Sequence, residues 1–229
     1  MIELDSLLNL YIEGFYNEYP AILECNIDDI VVTSVDLAYG DTKRVLHGIG
    51  DLRDTKNRIL GDIVKKIQTD FVNGFSNQEG FNKFHSELCK IWTDGFDGND
   101  KLNKIGKAQK IVNMSLKYYY TYCYKKNISD MLEKFKFCHF TLDSYTLKWL
   151  NSCRNVEGKP DCLNSNTTWS DLNATEYENI QQHAKKCIKE TFEDMWPIKA
   201  EFIVWKGVML HDVLSSWIKV KKIILMRFL

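Results

Sequence analysis

The sequence carries none of the compact signatures that identify a chemistry directly. It has no C-x-x-C pair, no P-loop, no dinucleotide G-x-G-x-x-G and no Ser-His-Asp arrangement. Hydrolase, kinase and dehydrogenase readings therefore start without positive support. Internal repeats and low-complexity stretches are missing, which removes solenoid folds. A signal-peptide pattern is also missing, and the seven cysteines, at 25, 89, 123, 138, 153, 162 and 187, are odd in number with no short paired spacing. They are expected to be reduced thiols of a cytoplasmic protein.

Metal sites fare no better. Cys138-His139 with Cys153 and Cys162 lacks the spacing of zinc modules. Carboxylates gather in Asp94-Gly95-Phe96-Asp97-Gly98-Asn99-Asp100 as they do in a calcium loop, but the twelfth position is Ile105 counted from Asp94 and Ala108 counted from Asp97. The bidentate Glu that such a loop requires is absent, so the segment reads as a turn. No metal and no cofactor are expected.

What is present is an ordinary globular composition, 45% hydrophobic and 27% charged over 229 residues, enough to bury a sizeable core as one domain or two lobes. The net charge of −1 hides a polarity along the chain. Residues 1–100 hold 18 acidic and 9 basic side chains, whereas residues 101–229 hold 13 and 21. Ten lysines fall within 101–150 against Asp130, Glu133 and Asp143. Such a run either forms a landing site for a polyanion or decorates solvated helix faces.

Apolar spacing predicts helices over 2–16, over 54–75 (Ile59, Leu60, Ile63, Val64, Ile67, Phe71), over 81–92 and over 104–124. Ile30 to Val35 is a β-branched run that reads as a strand or an extended link, and 37–54 reads as connection. Asn127-Ile128-Ser129-Asp130 offers a cap for a short helix ending near Phe137, and Asp143 offers one for the helix after it. A loop follows over 151–166. A helical region then opens at Thr168, its longest element being Tyr177 to Trp196, stopped by Pro197.

The fold class predicted is all-α, a single helical unit over 1–229 with possible lobes 1–97 and 98–207 around a cleft. The tail, 208–229, reads as a basic amphipathic helix, too short and too charged to span a bilayer. It would pack on its own domain, on a protein partner or on a membrane surface.

The chemistry-bearing residues are a lysine and an aspartate near two helix entrances. A lysine in an apolar helix wall becomes an amine nucleophile once burial favours its neutral form, and a carboxylate opposite it can steer the attacked group. The bland alternative is a surface lysine and a helix cap. Gln109-Lys110-Ile111-Val112-Asn113-Met114-Ser115-Leu116 and Leu142-Asp143-Ser144-Tyr145-Thr146-Leu147 resemble the hairpin lysine and the Val-Asp-x-His/Arg-Val segment of the helix-hairpin-helix DNA glycosylase superfamily. Their separation of 33 residues is closest to the archaeal 8-oxoguanine glycosylase branch.

That resemblance implies a helix-hairpin-helix element and a base flipped out of duplex DNA. Lys110 would attack the anomeric carbon to give a Schiff base, with Asp143 as the catalytic carboxylate. It further implies base contacts, for which Trp149 and Tyr118 stand nearby in sequence and His139 lies four residues before Asp143, and phosphate contacts from Gly106, Lys107 and Lys104. A binding module on the same scaffold, holding nucleic acid, a nucleotide or a protein without chemistry, is the alternative.

Overall fold

A computed structural model describes residues 4–46, 49–153 and 156–211, apart from the side chains of Leu23 and Asp51. Helices are the regular secondary structure of the described residues, with no strand among them, so the fold is all-α. In chain order the helices are α1 (Leu4–Glu18), α2 (Pro20–Glu24), α3 (Ile30–Thr42), α4 (Arg53–Asp70) and α5 (Gln78–Gly95). They continue with α6 (Ile105–Lys125), α7 (Ser129–Leu132), α8 (Ser144–Ser152) and α9 (Ala174–Phe192). A tenth, α10, covers 197–211. Most of the expected 208–229 tail helix lies outside the described residues. Among the described residues no helix is long and apolar enough to cross a membrane.

Helix α6 is the axis of the molecule. Its residues from Gly106 to Cys123 are all buried, although they include Lys107, Gln109, Lys110, Asn113 and Lys117. A helix buried on every side is ordinarily apolar all round, so each of these polar groups must find a partner.

Helix α3 makes the most extensive contact with α6. Ile30, Val31, Ser34, Val35, Ala38 and Thr42 form its buried face, recurring every three to four residues as a helix requires. The strand or link expected over 30–35 is thus a helix. Packing on α6 overrides the modest cost of its β-branched residues in helical geometry. The connection expected over 37–54 is correspondingly shorter, because α3 reaches Thr42 and two 3₁₀ turns follow, Lys43–Val45 and Ile49–Leu52.

Two boundary expectations change as well. Asn127 ends α6 instead of capping α7: it adopts φ 57°, and the Ile128 and Asn127 amides donate to the Cys123 and Tyr124 carbonyls at 2.9 and 3.2 Å. This is the left-handed helix ending that Asn tolerates. Helix α7 begins without a side-chain cap. Farther on, α9 ends at Phe192, where Glu193 turns left-handed at φ 58°. Pro197 opens α10, since proline's missing N–H costs nothing in a first helical turn.

The buried apolar side chains form two clusters. One joins α1 to α7 with Ile198, Phe202 and Ile203. The other joins Phe140, Leu142, α8, α9, Ala200 and Val204. The polar side chains of α6 lie along the seam between them, reaching Leu142, Asp143, Tyr177 and Glu201. Of the ten lysines in 101–150, Lys107, Lys110 and Lys117 are interior, Lys125 pairs with Glu13 and Lys134 donates to the Val72 carbonyl. Charge clustered in sequence is divided between the interior and the surface.

Candidate functional site

Lys110 and Asp143 meet. Nζ lies 2.8 Å from Oδ2, with side chains 11% and 9% exposed. Lys110 projects from the first third of α6. Asp143 is the N-cap of α8, where its Oδ1 accepts the Tyr145 and Thr146 amides at 3.0 Å each. The Thr146 hydroxyl returns the favour by accepting the Asp143 amide at 2.8 Å, completing a capping box. Burial pushes the Asp143 carboxyl up, but the Lys110 charge and hydrogen bond, the Thr146 amide and Lys117 outweigh it, and the net shift is downward. Asp143 is therefore held as a carboxylate.

The pair lines a cavity of about 440 Å³, within the ~300–1,000 Å³ usual for small-molecule sites. Its walls carry Arg44, Lys110 and Lys117 against Asp41 and Asp143, with an aromatic surround of Phe15, Tyr19, Tyr145, Trp169 and Trp205. Lys117 sits seven residues after Lys110 on the same face of α6 and pairs with Glu201 at 2.7 Å, both almost wholly buried at 2% and 1%. The Lys110 ammonium stands 6.0 Å from the Trp169 ring centre.

The remaining residues singled out in the sequence lie elsewhere. Gly106 donates its amide to the Leu172 carbonyl at 3.1 Å, so that N–H is not free for a phosphate. A Cβ there would fall 1.9 Å from the Trp169 carbonyl oxygen. Only glycine admits this approach, which seats the 3₁₀ turn carrying Trp169 beside Lys110. Lys107 donates to the Lys101 carbonyl, and burial, opposed by Asp171, holds its ammonium below the usual range. Lys104 is the N-cap residue of α6, without a side-chain capping bond.

Trp149 lines a separate apolar groove with Phe192, Val204 and Val208. Tyr118 is fully buried, stacked on Phe15 and bonded to the Asp41 carboxylate. It backs the cavity through Asp41 without lining it. His139 lines a second cavity of about 280 Å³ with His85, Tyr177 and Lys185.

That second cavity is walled by a directed network. Asn113 donates through Nδ2 to Gln109 at 3.0 Å and to the Tyr177 hydroxyl at 3.2 Å. Its Oδ1 therefore accepts from His85 Nε2–H, 2.9 Å away. Tyr177 then donates to His139 Nδ1 at 2.8 Å, and His139 Nε2–H donates to Asn82 Oδ1 at 2.9 Å. His85 Nε2 and both ring nitrogens of His139 thus take neutral-imidazole roles, an assignment that follows from the donors around them. Burial holds His85 down to about 4 and His139 well below its ordinary value.

Sequence reasoning missed Lys117, Trp169, Trp205, Arg44, Asp41 and Glu201. Only Lys117 had a signal, the helical interval from Lys110. Among the described residues no group of three His, Cys, Asp or Glu side chains is placed to hold a metal, and the cysteines described are free. No family model, curated protein or solved structure matches the chain.

Proposed function

We propose that the protein is a DNA glycosylase with lyase activity that acts on a damaged base through Lys110. The observation that carries this reading is the buried Lys110–Asp143 pair on the wall of an aromatic-lined cavity. The two apolar clusters act as lobes, with the seam at α6 as the floor of a cleft between them. Helices α5 and α6, joined through 96–104, serve as the hairpin element. Trp92 braces that connection by donating to the Leu102 carbonyl at 2.9 Å.

A base inside duplex DNA cannot be reached, so it must be extruded into a pocket that reads its edge and stacks its face. Trp169, Trp205 and Tyr145 offer such faces. Lys110 loses its proton and its Nζ attacks C1′. The glycosidic bond breaks as the base leaves with the electron pair and takes up the proton that Lys110 lost. A proton of the newly bonded nitrogen then passes to O4′ as the C1′–O4′ bond breaks, which leaves a protonated imine on the opened sugar. Asp143 remains ionised throughout and stabilises the positive charge that develops on the sugar. Lys104 is the phosphate contact that remains available at the hairpin. A reducing, cytoplasmic setting suits the free thiols.

Borohydride supplies the test, because hydride reduces the imine to a stable secondary amine. Duplexes carrying an oxidised purine, an oxidised pyrimidine, an alkylated purine, uracil or an abasic site are expected to include one that gives a trapped adduct. Lys110→Gln abolishes that adduct while leaving the circular dichroism spectrum unchanged. Absence of adduct with every one of these duplexes would overturn the catalytic reading.

Two observations favour a second reading. An ammonium held 2.8 Å from a carboxylate is not yet a nucleophile, and the Gly106 amide is committed internally. A binding module would use the same cavity without chemistry. Its signature is salt-sensitive duplex binding that survives Lys110→Gln.

A further inference from the structure

Between the 3₁₀ turn Glu133–Phe137 and α8 the chain runs through 138–142 without helix. Phe140, Thr141 and Leu142 are fully buried there. Buried backbone groups outside regular structure must be satisfied by other means. Side chains supply them. The Gln181 amide on α9 accepts the Phe140 N–H at 3.2 Å and donates to the Phe140 carbonyl at 2.6 Å. The Gln109 amide on α6 treats Leu142 in the same way, accepting its N–H at 3.2 Å and donating to its carbonyl at 2.9 Å. Glu201 takes the intervening Thr141 N–H at 3.1 Å.

The second clamp stands beside the site. Gln109 directly precedes Lys110 and Leu142 directly precedes Asp143, so clamp and ion pair are adjacent rungs across the same two segments. Both span 33 residues. Asn113 keeps the Gln109 amide from turning, because its Nδ2 also donates to Gln109 Oε1. A two-bond amide contact fixes direction as well as distance, which a single bond or an apolar contact does not.

We propose that Gln109 and Gln181 are positioning residues, clamping Leu142 and Phe140 at both backbone groups and so fixing the Asp143 carboxylate against Lys110. Asp143 is thereby held from two sides. Its own capping box ties it to α8, and the clamps tie the preceding chain to α6 and α9. A capped helix that could slide on α6 would carry Asp143 away from Lys110.

The test uses the full chain with two variants, Gln109→Leu and Gln181→Met, in two measurements. The first needs no substrate. In protein labelled with 13C at the aspartate carboxyl, the Asp143 signal is assigned by its loss in Asp143→Asn. Loosening the clamp lets burial prevail over the Lys110 contact, and the Asp143 midpoint moves up by roughly one pH unit or more.

The second measurement rests on the glycosylase reading. Single-turnover trapping falls roughly 10- to 100-fold, the scale of an ångström-sized misplacement, while duplex affinity is held. A purely structural role would lower the melting temperature without separating rate from affinity. If Gln109→Leu fails to fold, Gln181→Met decides, since it acts from α9 at a distance from the pair. Folded variants with unchanged Asp143 titration overturn the proposal. A shifted titration in a protein that traps no duplex upholds the clamp and removes the glycosylase reading instead.

Discussion

Lys117 and Glu201 provide the sharpest test of how the interior is held together. Their 2.7 Å contact is almost without solvent, the Lys117 ammonium lies 4.5 and 5.0 Å from the ring centres of Phe202 and Phe15, and the second Glu201 oxygen accepts the Thr141 amide. Lys117→Met keeps the aliphatic stem but leaves a buried carboxylate with one partner. Breaking a buried pair in this way costs about 3–5 kcal/mol, a large share of the ~5–15 kcal/mol that separates folded from unfolded states. Glu201→Gln preserves an acceptor for Thr141 yet strands the ammonium, at a similar cost.

The double variant Lys117→Met/Glu201→Gln leaves no uncompensated charge, so it is expected to cost less than either single change. Urea unfolding at pH 7, followed by circular dichroism, reads all three as shifts of the midpoint at constant slope. The reasoning fails if either single variant loses under about 1 kcal/mol, the range of an exposed pair. It fails equally if the double loss equals the sum of the singles.

Two further outcomes follow from named contacts. Gly106→Ala places a methyl 1.9 Å from the Trp169 carbonyl, so the turn must shift at a cost of about 1–3 kcal/mol. Tryptophan fluorescence and thermal melting would register this, and an unchanged melting temperature would refute the close approach. His85 is held neutral, with its ordinary value near 6.5 lowered to about 4 by burial. The unfolded state then binds more protons between those limits, so stability is complete above about pH 6.5 and falls as pH drops toward 4. The loss is on the order of 3 kcal/mol, and His139 adds to it in the same direction. Asp143, being lowered, contributes stability that is present above its ordinary carboxylate range and is lost only as pH falls below it. Unfolding free energies measured from pH 7 to 4 should flatten in His85→Gln, and an identical slope would refute the assignment.

Sequence pattern was informative wherever one face of a helix is apolar and the other wet. Helices α4 and α5 meet that condition, and their apolar intervals lie close to their observed spans. Helix α3 does not, because its run of β-branched residues masks the helical interval of its buried face. Along α6 a different reason applies to Lys117: charge reads as solvent exposure, whereas this lysine is interior and paired. The Asp143 cap was legible from its neighbours, since capping depends on residues within one turn.

Trp169 and Trp205 reach the cavity, and Glu201 reaches Lys117 behind it, from segments far along the chain, and nothing local marks them. His139 was assigned to the Lys110 pocket by its four-residue distance from Asp143. That distance means adjacency only on a helix. Without one, four residues can extend over about 13 Å, and His139 turns toward Tyr177 instead.

The division of labour between the two Asp143 oxygens bears on how a buried ion pair could still react. Oδ1 is held by two backbone amides and the Thr146 hydroxyl, whereas Oδ2 bonds to Lys110. In the proposed reaction, withdrawal of Lys110 into a new covalent bond would therefore strip only one oxygen. The carboxylate keeps its cap, its orientation and enough hydrogen bonds to remain ionised, and the bonding capacity released at Oδ2 faces the cavity from which the amine departed. Were both oxygens satisfied by Lys110 alone, the same withdrawal would leave a naked buried charge and oppose the reaction. Capping and electrostatic support thus coexist on one side chain, and Asp143→Glu should separate them. The added methylene carries the carboxylate past the Tyr145 and Thr146 amides, so helix capping is lost at about 1 kcal/mol even where contact with Lys110 survives. A variant that retained full stability would show that the cap and the ion pair are not coupled as described.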